Sequence, residues 1–161
     1  MRLKEYDYSQ AGYYYVTVCV KNMRKLLCEI EPYVGAIINR LQTSVRLSEY
    51  GNVVDEAIQN IPKCYKGVMV DKYVIMPNHV HMILVLDWEQ SGRLIIAPTT
   101  RTNLSTIIQQ FKRHVSKQIG KSIWQKGYHD HIIRDDVDYL RRWRYIDNNP
   151  TKWAEDEYYM K

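Results

Sequence analysis

Apolar and polar positions alternate in two regimes along this chain. The run Tyr13-Tyr14-Tyr15-Val16-Thr17-Val18-Cys19-Val20 follows Gly12 and is dense in aromatic and β-branched residues, so it predicts a strand that opens a sheet. The stretch from Val34 to Ile38 and the alternation Val45-Arg46-Leu47 predict a short hairpin. From Ser48 the period lengthens. Val53, Val54, Ala57, Ile58 and Ile61 recur at helical spacing behind a Ser48 N-cap, with Gly51 a weak point and Pro62 the expected stop. Val68 to Ile75 and His79 to Leu86 return to strand-like patterning on either side of Met76-Pro77-Asn78, which predicts neighbouring antiparallel strands.

Residues 87–101 carry Ser91-Gly92, Pro98 and two threonines, and read as a loop. Leu104, Ile107, Ile108, Phe111, Val115 and Ile119 then mark the apolar face of a helix whose other side bears Lys112, Arg113 and Lys117. A strand from His129 to Arg134 follows. The last helix begins near Asp135 or Asp136 and ends before Pro150, with Tyr139, Leu140, Trp143 and Ile146 as its core stripe. The predicted order is β, hairpin, α, β, β, α, β, α. It describes an α+β fold: a ferredoxin-like βαββαβ antiparallel sheet with an inserted hairpin and an extra C-terminal helix.

Length and composition narrow the class. At 161 residues, 45% hydrophobic and 25% charged, residues 1–161 are expected to form a single globular domain. No apolar run approaches the roughly 20 residues of a membrane span, and the first residues lack the apolar core of a signal peptide, so a cytoplasmic protein with no membrane partner is expected. Cys19, Cys28 and Cys64 have neither disulfide nor zinc-knuckle spacing, and read as buried or half-buried thiols in a reducing compartment. The net charge of +5 favours a polyanionic partner.

Chemistry concentrates in two places. His79 and His81 lie two apart on a strand, so both imidazoles project from one face and can grip a metal ion together while Val80 faces the other way. His129 and His131 repeat the spacing. On the last helix Tyr145 and Asn149 are one turn apart, with Arg141, Arg142 and Arg144 beside them. Taken singly, a histidine pair on a strand or a tyrosine on a helix is more often structural than catalytic.

Three segments together resemble a known family: Met76-Pro77-Asn78-His79-Val80-His81, the stretch from Trp124-Gln125-Lys126-Gly127 through His129-Asp130-His131 to Arg134, and Tyr145-Ile146-Asp147-Asn148-Asn149-Pro150. In this order, spanning nearly the whole chain, they are similar to the HUH single-tyrosine transposases of small insertion sequences, and most of all to the REP-associated tyrosine transposases. Tyr6 to Gly12 and Trp153-Ala154 also look like that group.

The resemblance implies that His79 and His81 are metal ligands, that Tyr145 is the nucleophile on the C-terminal helix, and that Asn149 holds the place of a third ligand. Because Pro150 disfavours helical geometry at the preceding residue, Asn149 is expected at a frayed helix end. The implied reaction is metal-dependent cleavage and joining of single-stranded or hairpin DNA through a 5′-phosphotyrosine, with Mg²⁺ or Mn²⁺ as cofactor and a homodimer as a further possibility. Lys112, Arg113, Lys117, Arg141 and Arg142 are the candidate phosphate contacts, and Tyr6, Tyr8 and Tyr128 candidate platforms for unpaired bases. Two kinds of alternative stand beside this reading: a nucleic-acid-binding module or degenerate transposase without cleavage, and a zinc hydrolase built on His79, His81, His129 and His131.

Overall fold

The computed structural model describes residues 6–34, 41–87 and 102–159. Strands β1 (Gly12–Cys19), β4 (Val68–Ile75), β5 (His79–Leu86) and β6 (His129–Ile133) form one antiparallel sheet in the order β4-β5-β1-β6. With β2 (Cys28–Val34) and β3 (Leu41–Leu47) paired separately as a hairpin between β1 and helix α1 (Glu49–Cys64), this is the ferredoxin-like topology the pattern predicts. The hairpin's first strand starts earlier than expected, at Cys28, and residues 35–40 and the loop at 88–101 fall outside the described residues.

The period-2 alternation of β1 and β5 sorts their side chains onto two faces. Tyr14, Val16 and Val18 with Val80, Met82, Leu84 and Leu86 join Val54, Ile58 and Ile61 of α1 and Leu104, Ile107, Ile108, Phe111 and Val115 of α2 (Leu104–Ile119) in the main core. Tyr15, Ile83 and Ile133 line the other face, where Ile146 of α3 (Asp136–Asn148) seals a smaller cluster. β5 is buried along its whole length because it is a central strand covered on both sides.

Each of the three α-helices starts at a side-chain cap. Ser48 accepts from the Gly51 amide, Asn103 from Thr106 and Asp135 from Asp138, satisfying donors that the first helical turn leaves open. Pro62 does not stop α1, which runs two residues further and closes with the Tyr65 amide on the Ile61 carbonyl. Leu140 is exposed and no part of the α3 core stripe, whereas Tyr139 and Trp143 pack beside Ile146. Tyr8 is buried, with its ring against Tyr6 and Tyr14, and Cys64 is exposed while Cys19 and Cys28 are buried.

Gly51 has a reason that its helix propensity hides. A Cβ there would sit 2.0 Å from the Leu27 carbonyl oxygen, a backbone atom held by the Ser48 amide and hydroxyl. Gly51→Ala is therefore expected to destabilise by at least about 1–3 kcal/mol, as overpacking does, although alanine is the better helix former. Urea denaturation of the two proteins checks this, and a stabilised variant would contradict it.

Two anchors fix α3 across the sheet. A register shift between Val70 and Lys72 interrupts the β4 ladder at Asp71, which accepts a hydrogen bond from the Tyr139 hydroxyl at 2.9 Å. Lys72 then reaches Asp147 at 2.6 Å with its ammonium 3.7 Å from the centre of the Trp143 ring. Together with buried Ile146 they aim the C-terminal half of α3 at the end of β5 that carries the histidines.

Candidate active site

His79 and His81 project from the α3 face of β5 and are almost completely buried. Strand register supplies their neighbours: Thr17 is the partner of His81 and Cys19 that of His79. The Tyr15 hydroxyl and Thr17 Oγ1 lie 2.7 and 2.8 Å from His81 Nδ1, and Asn78 Oδ1 lies 2.8 Å from His79 Nδ1. Asn78 is itself oriented, since its amide nitrogen donates to the Tyr158 and Met23 carbonyls at 2.8 and 3.3 Å.

Proton positions follow from this network. The Asn78 oxygen can only accept, so His79 carries its hydrogen on Nδ1 and turns the Nε2 lone pair into the site. That lone pair faces His81 Nε2 at 2.9 Å. In a neutral pair the bridging hydrogen therefore sits on His81 Nε2, and its Nδ1 lone pair accepts from one of the Tyr15 and Thr17 hydroxyls. A hydroxyl can also accept, so the same two partners allow His81 to move its hydrogen to Nδ1 and free Nε2 for a cation. Burial pushes His79 down to about 4, with the Asp156 carboxylate pulling the other way, and burial also lowers His81, helped by the neighbouring His79 and Arg142. Both imidazoles are neutral at pH 7, the state that binds metal.

The α3 residues arrive beside them. The Tyr145 ring meets His81 edge to face at 5.3 Å between centroids and Tyr15 at 6.4 Å. Its hydroxyl donates to Asp156 Oδ2 at 3.1 Å. Burial and the neighbouring Asp156 carboxylate both raise the phenol pKa, so proton loss needs an acceptor or a cation. Asn149 keeps helical φ and ψ despite Pro150 and is buried rather than frayed, because its amide nitrogen donates to the same Asp156 oxygen at 2.7 Å. Its Oδ1 is buried without a partner among the described residues.

Asp156 is the residue that sequence reasoning missed. It lies beyond α3 in a turn where the Tyr158 ring packs tilted against His79 at 4.6 Å and Trp153 approaches at 6.0 Å. No periodicity singles it out within Glu155-Asp156-Glu157. Among the described residues, the histidine, cysteine and carboxylate groups near enough to share a metal ion are His79, His81 and Asp156, with ligand atoms within 4.8 Å of one another. Two imidazoles, a carboxylate and the unpartnered amide oxygen make a mixed nitrogen and oxygen donor set that fits a divalent cation.

His129 and His131 stay outside that group. His131 Nε2 contacts Asp138 at 2.5 Å and His129 is exposed, so no four-histidine centre forms. Arg141, Arg142 and Arg144 line the same open cleft as Tyr145, of about 890 Å³. Lys112, Arg113 and Lys117 lie on α2, across the sheet. Lys112 spends its ammonium on the Gln125 and Gly127 carbonyls at 2.6 and 2.7 Å, whereas Arg113 and Lys117 are exposed. Tyr6 and Tyr128 are half-buried and share their hydroxyls with Tyr14 and Ser105.

A sheet-borne histidine pair faced by a tyrosine helix defines the class, and comparison with known proteins gives the family. The model of the family described as Transposase IS200 like matches residues 9–149, and the chain belongs to that family of transposases. A Haemophilus influenzae protein with no assigned function is 34% identical over 175 residues, covering 99% of this chain and 92% of its own length. Another protein of that organism, described as a candidate REP-associated tyrosine transposase, is 23% identical over 150 residues, covering 91% of this chain and 74% of its own. The solved structure of a REP-associated tyrosine transposase bound to a REP hairpin has the same fold, with a TM-score of 0.66 at 21% identity over 98% of this chain and 77% of that one. Among the described residues no helix is long and apolar enough to cross a membrane.

Proposed function

We propose that this transposase is a metal-dependent endonuclease and strand transferase, acting as one domain on single-stranded or hairpin-associated DNA through a 5′-phosphotyrosine at Tyr145. The observation that carries the reading is the packing of Tyr145, in a cleft lined by three arginines, against His81 of the buried, neutral pair His79 and His81. The DNA partner is carried over from the hairpin-bound structural neighbour and agrees with the +5 charge.

His79 and His81 would hold the cation through Nε2, with Asn149 Oδ1 or the Asp156 carboxylate as third donor, and Mg²⁺ or Mn²⁺ suits this set. When bound, such an ion polarises a phosphoryl oxygen and offsets developing charge. The protein does the rest. Arg141, Arg142 and Arg144 grip the flanking phosphates. The Tyr145 oxygen attacks phosphorus, its proton passing to the Asp156 carboxylate that already accepts its hydrogen bond. The bond to the 3′-oxygen breaks, and that oxygen leaves as a hydroxyl after taking a proton from water. Attack by a 3′-hydroxyl on the phosphotyrosine reverses the step and joins strands without ATP.

The test is covalent capture. Wild-type protein incubated with Mn²⁺ and an oligonucleotide hairpin with single-stranded flanks should yield an adduct that survives denaturation, with the DNA mapped to the Tyr145 peptide and no adduct in EDTA. Cutting without an adduct would mean water is the nucleophile, and binding without cutting would favour the degenerate transposase.

A further inference from the structure

A second cleft opens on the other side of the sheet, and nothing in the proposed reaction uses it. It measures about 850 Å³ and lies between the turn Lys21–Met23 that follows β1, the middle of α2, and the segment Ser122 to Gly127. Backbone pairing builds its floor: Val20 bridges Trp124, the Lys21 amide donates to Ile123 O at 2.8 Å and the Gln125 amide to Cys19 O at 2.9 Å. Lys112 braces the same segment from α2.

The lining has one sign of charge. Lys21, Arg113 and Lys126 stand exposed around the cleft beside Lys112, no carboxylate lines it, and none of those three is in a salt bridge among the described residues. Trp124, one of the lining residues, is 95% buried, and its Nε1 donor has no partner among the described residues. A buried unpaired donor in a cationic cleft calls for an acceptor from outside. The cleft is also at the correct end of the sheet: Cys19, just before Lys21, pairs with His79.

We propose that this cleft binds the phosphodiester backbone of single-stranded DNA flanking the cleavage site, the strand rounding the end of β1 from the catalytic cleft to the α2 side. Lys21, Arg113 and Lys126 contact phosphates, and Trp124 Nε1 supplies a neutral donor. The inference rests on the DNA reading above and gives the Trp124-Gln125-Lys126-Gly127 motif a role apart from the chemistry.

Fluorescence anisotropy with labelled oligo-dT, titrated with NaCl, tests it. In the Lys21→Gln, Arg113→Gln, Lys126→Gln triple variant the slope of log K against log salt should fall by about 2, because each phosphate contact on a single strand contributes about 0.7. A control triple, Arg46→Gln, Lys63→Gln, Lys66→Gln, removes the same net charge elsewhere and should change the slope far less. Melting curves confirm folding, and Lys126→Gln alone, with an expected change of about 0.7, serves if the triple variant is unstable. Equal slope changes in the cleft and control variants overturn the cleft while leaving DNA binding intact. Wild-type protein that does not bind oligo-dT at low salt overturns the DNA reading itself.

Discussion

Tyr145→Phe should fold, bind DNA and fail to cut it. The substitution keeps the ring and its edge-to-face packing on His81 and Tyr15, and removes one hydrogen bond, to Asp156, in a half-open cleft. Stability should therefore change by no more than about 1 kcal/mol. Cleavage should fall by at least about 10³-fold, because losing the nucleophile of a covalent mechanism removes the step rather than slowing it. The structure names the rival to exclude. Tyr15 is tied up by its hydroxyl on His81, whereas Tyr158 has its ring tilted against His79 at 4.6 Å, but it belongs to the turn after α3 and its carbonyl accepts from Asn78. Cutting assays on both variants separate them: Tyr158→Phe should still cut, and an active Tyr145→Phe protein would remove Tyr145 from the mechanism.

Metal-free protein should lose stability as pH falls from 6.5 toward 4. His79 is held down to about 4 from its ordinary 6.5 by burial, and His81 is lowered in the same way. Between those values the unfolded chain takes up protons that the folded chain refuses, so acid favours unfolding. Holding the pair neutral down to about pH 4 corresponds to a loss on the order of a few kcal/mol at the acid end, shared between His79 and His81. Asp138 is lowered from 3.8, so its contribution is lost below this window and does not mimic the effect. Urea denaturation in EDTA across the range measures it. His79→Gln should flatten the profile, and Mn²⁺ should stabilise the wild type above pH 6.5 by mass action. A wild-type profile that is flat between 6.5 and 4 would mean that the pair is not buried and neutral in solution.

Both parts of the site follow from local patterns, while several of their surroundings do not. The His79/His81 pair and the Tyr145/Asn149 turn are local patterns, since period 2 on a strand and one turn on a helix put each pair on one face whatever surrounds it. Gly51 was misread because its role is a contact with Leu27, outside its own helix. Asn149 was expected to fray on local grounds, and a hydrogen bond to Asp156 overrides the preference Pro150 imposes. Lys112 looked like part of an exposed basic face until the Gln125 and Gly127 carbonyls folded over it.

Sequence by itself determined the element order, the ferredoxin-like topology it implies, and the identity of the histidine and tyrosine motifs, because hydrophobic period and capping act within a few residues. The tertiary structure decided which neighbours those motifs acquire. Strand register puts Thr17 beside His81, the interrupted β4 ladder sets Asp71 to catch Tyr139, and a turn beyond α3 brings Asp156 to Tyr145. Each of these joins residues distant in the chain or lacking any periodic signal. Register, bulges and the docking of α3 are settled by the packing of whole faces against each other, which no single segment encodes.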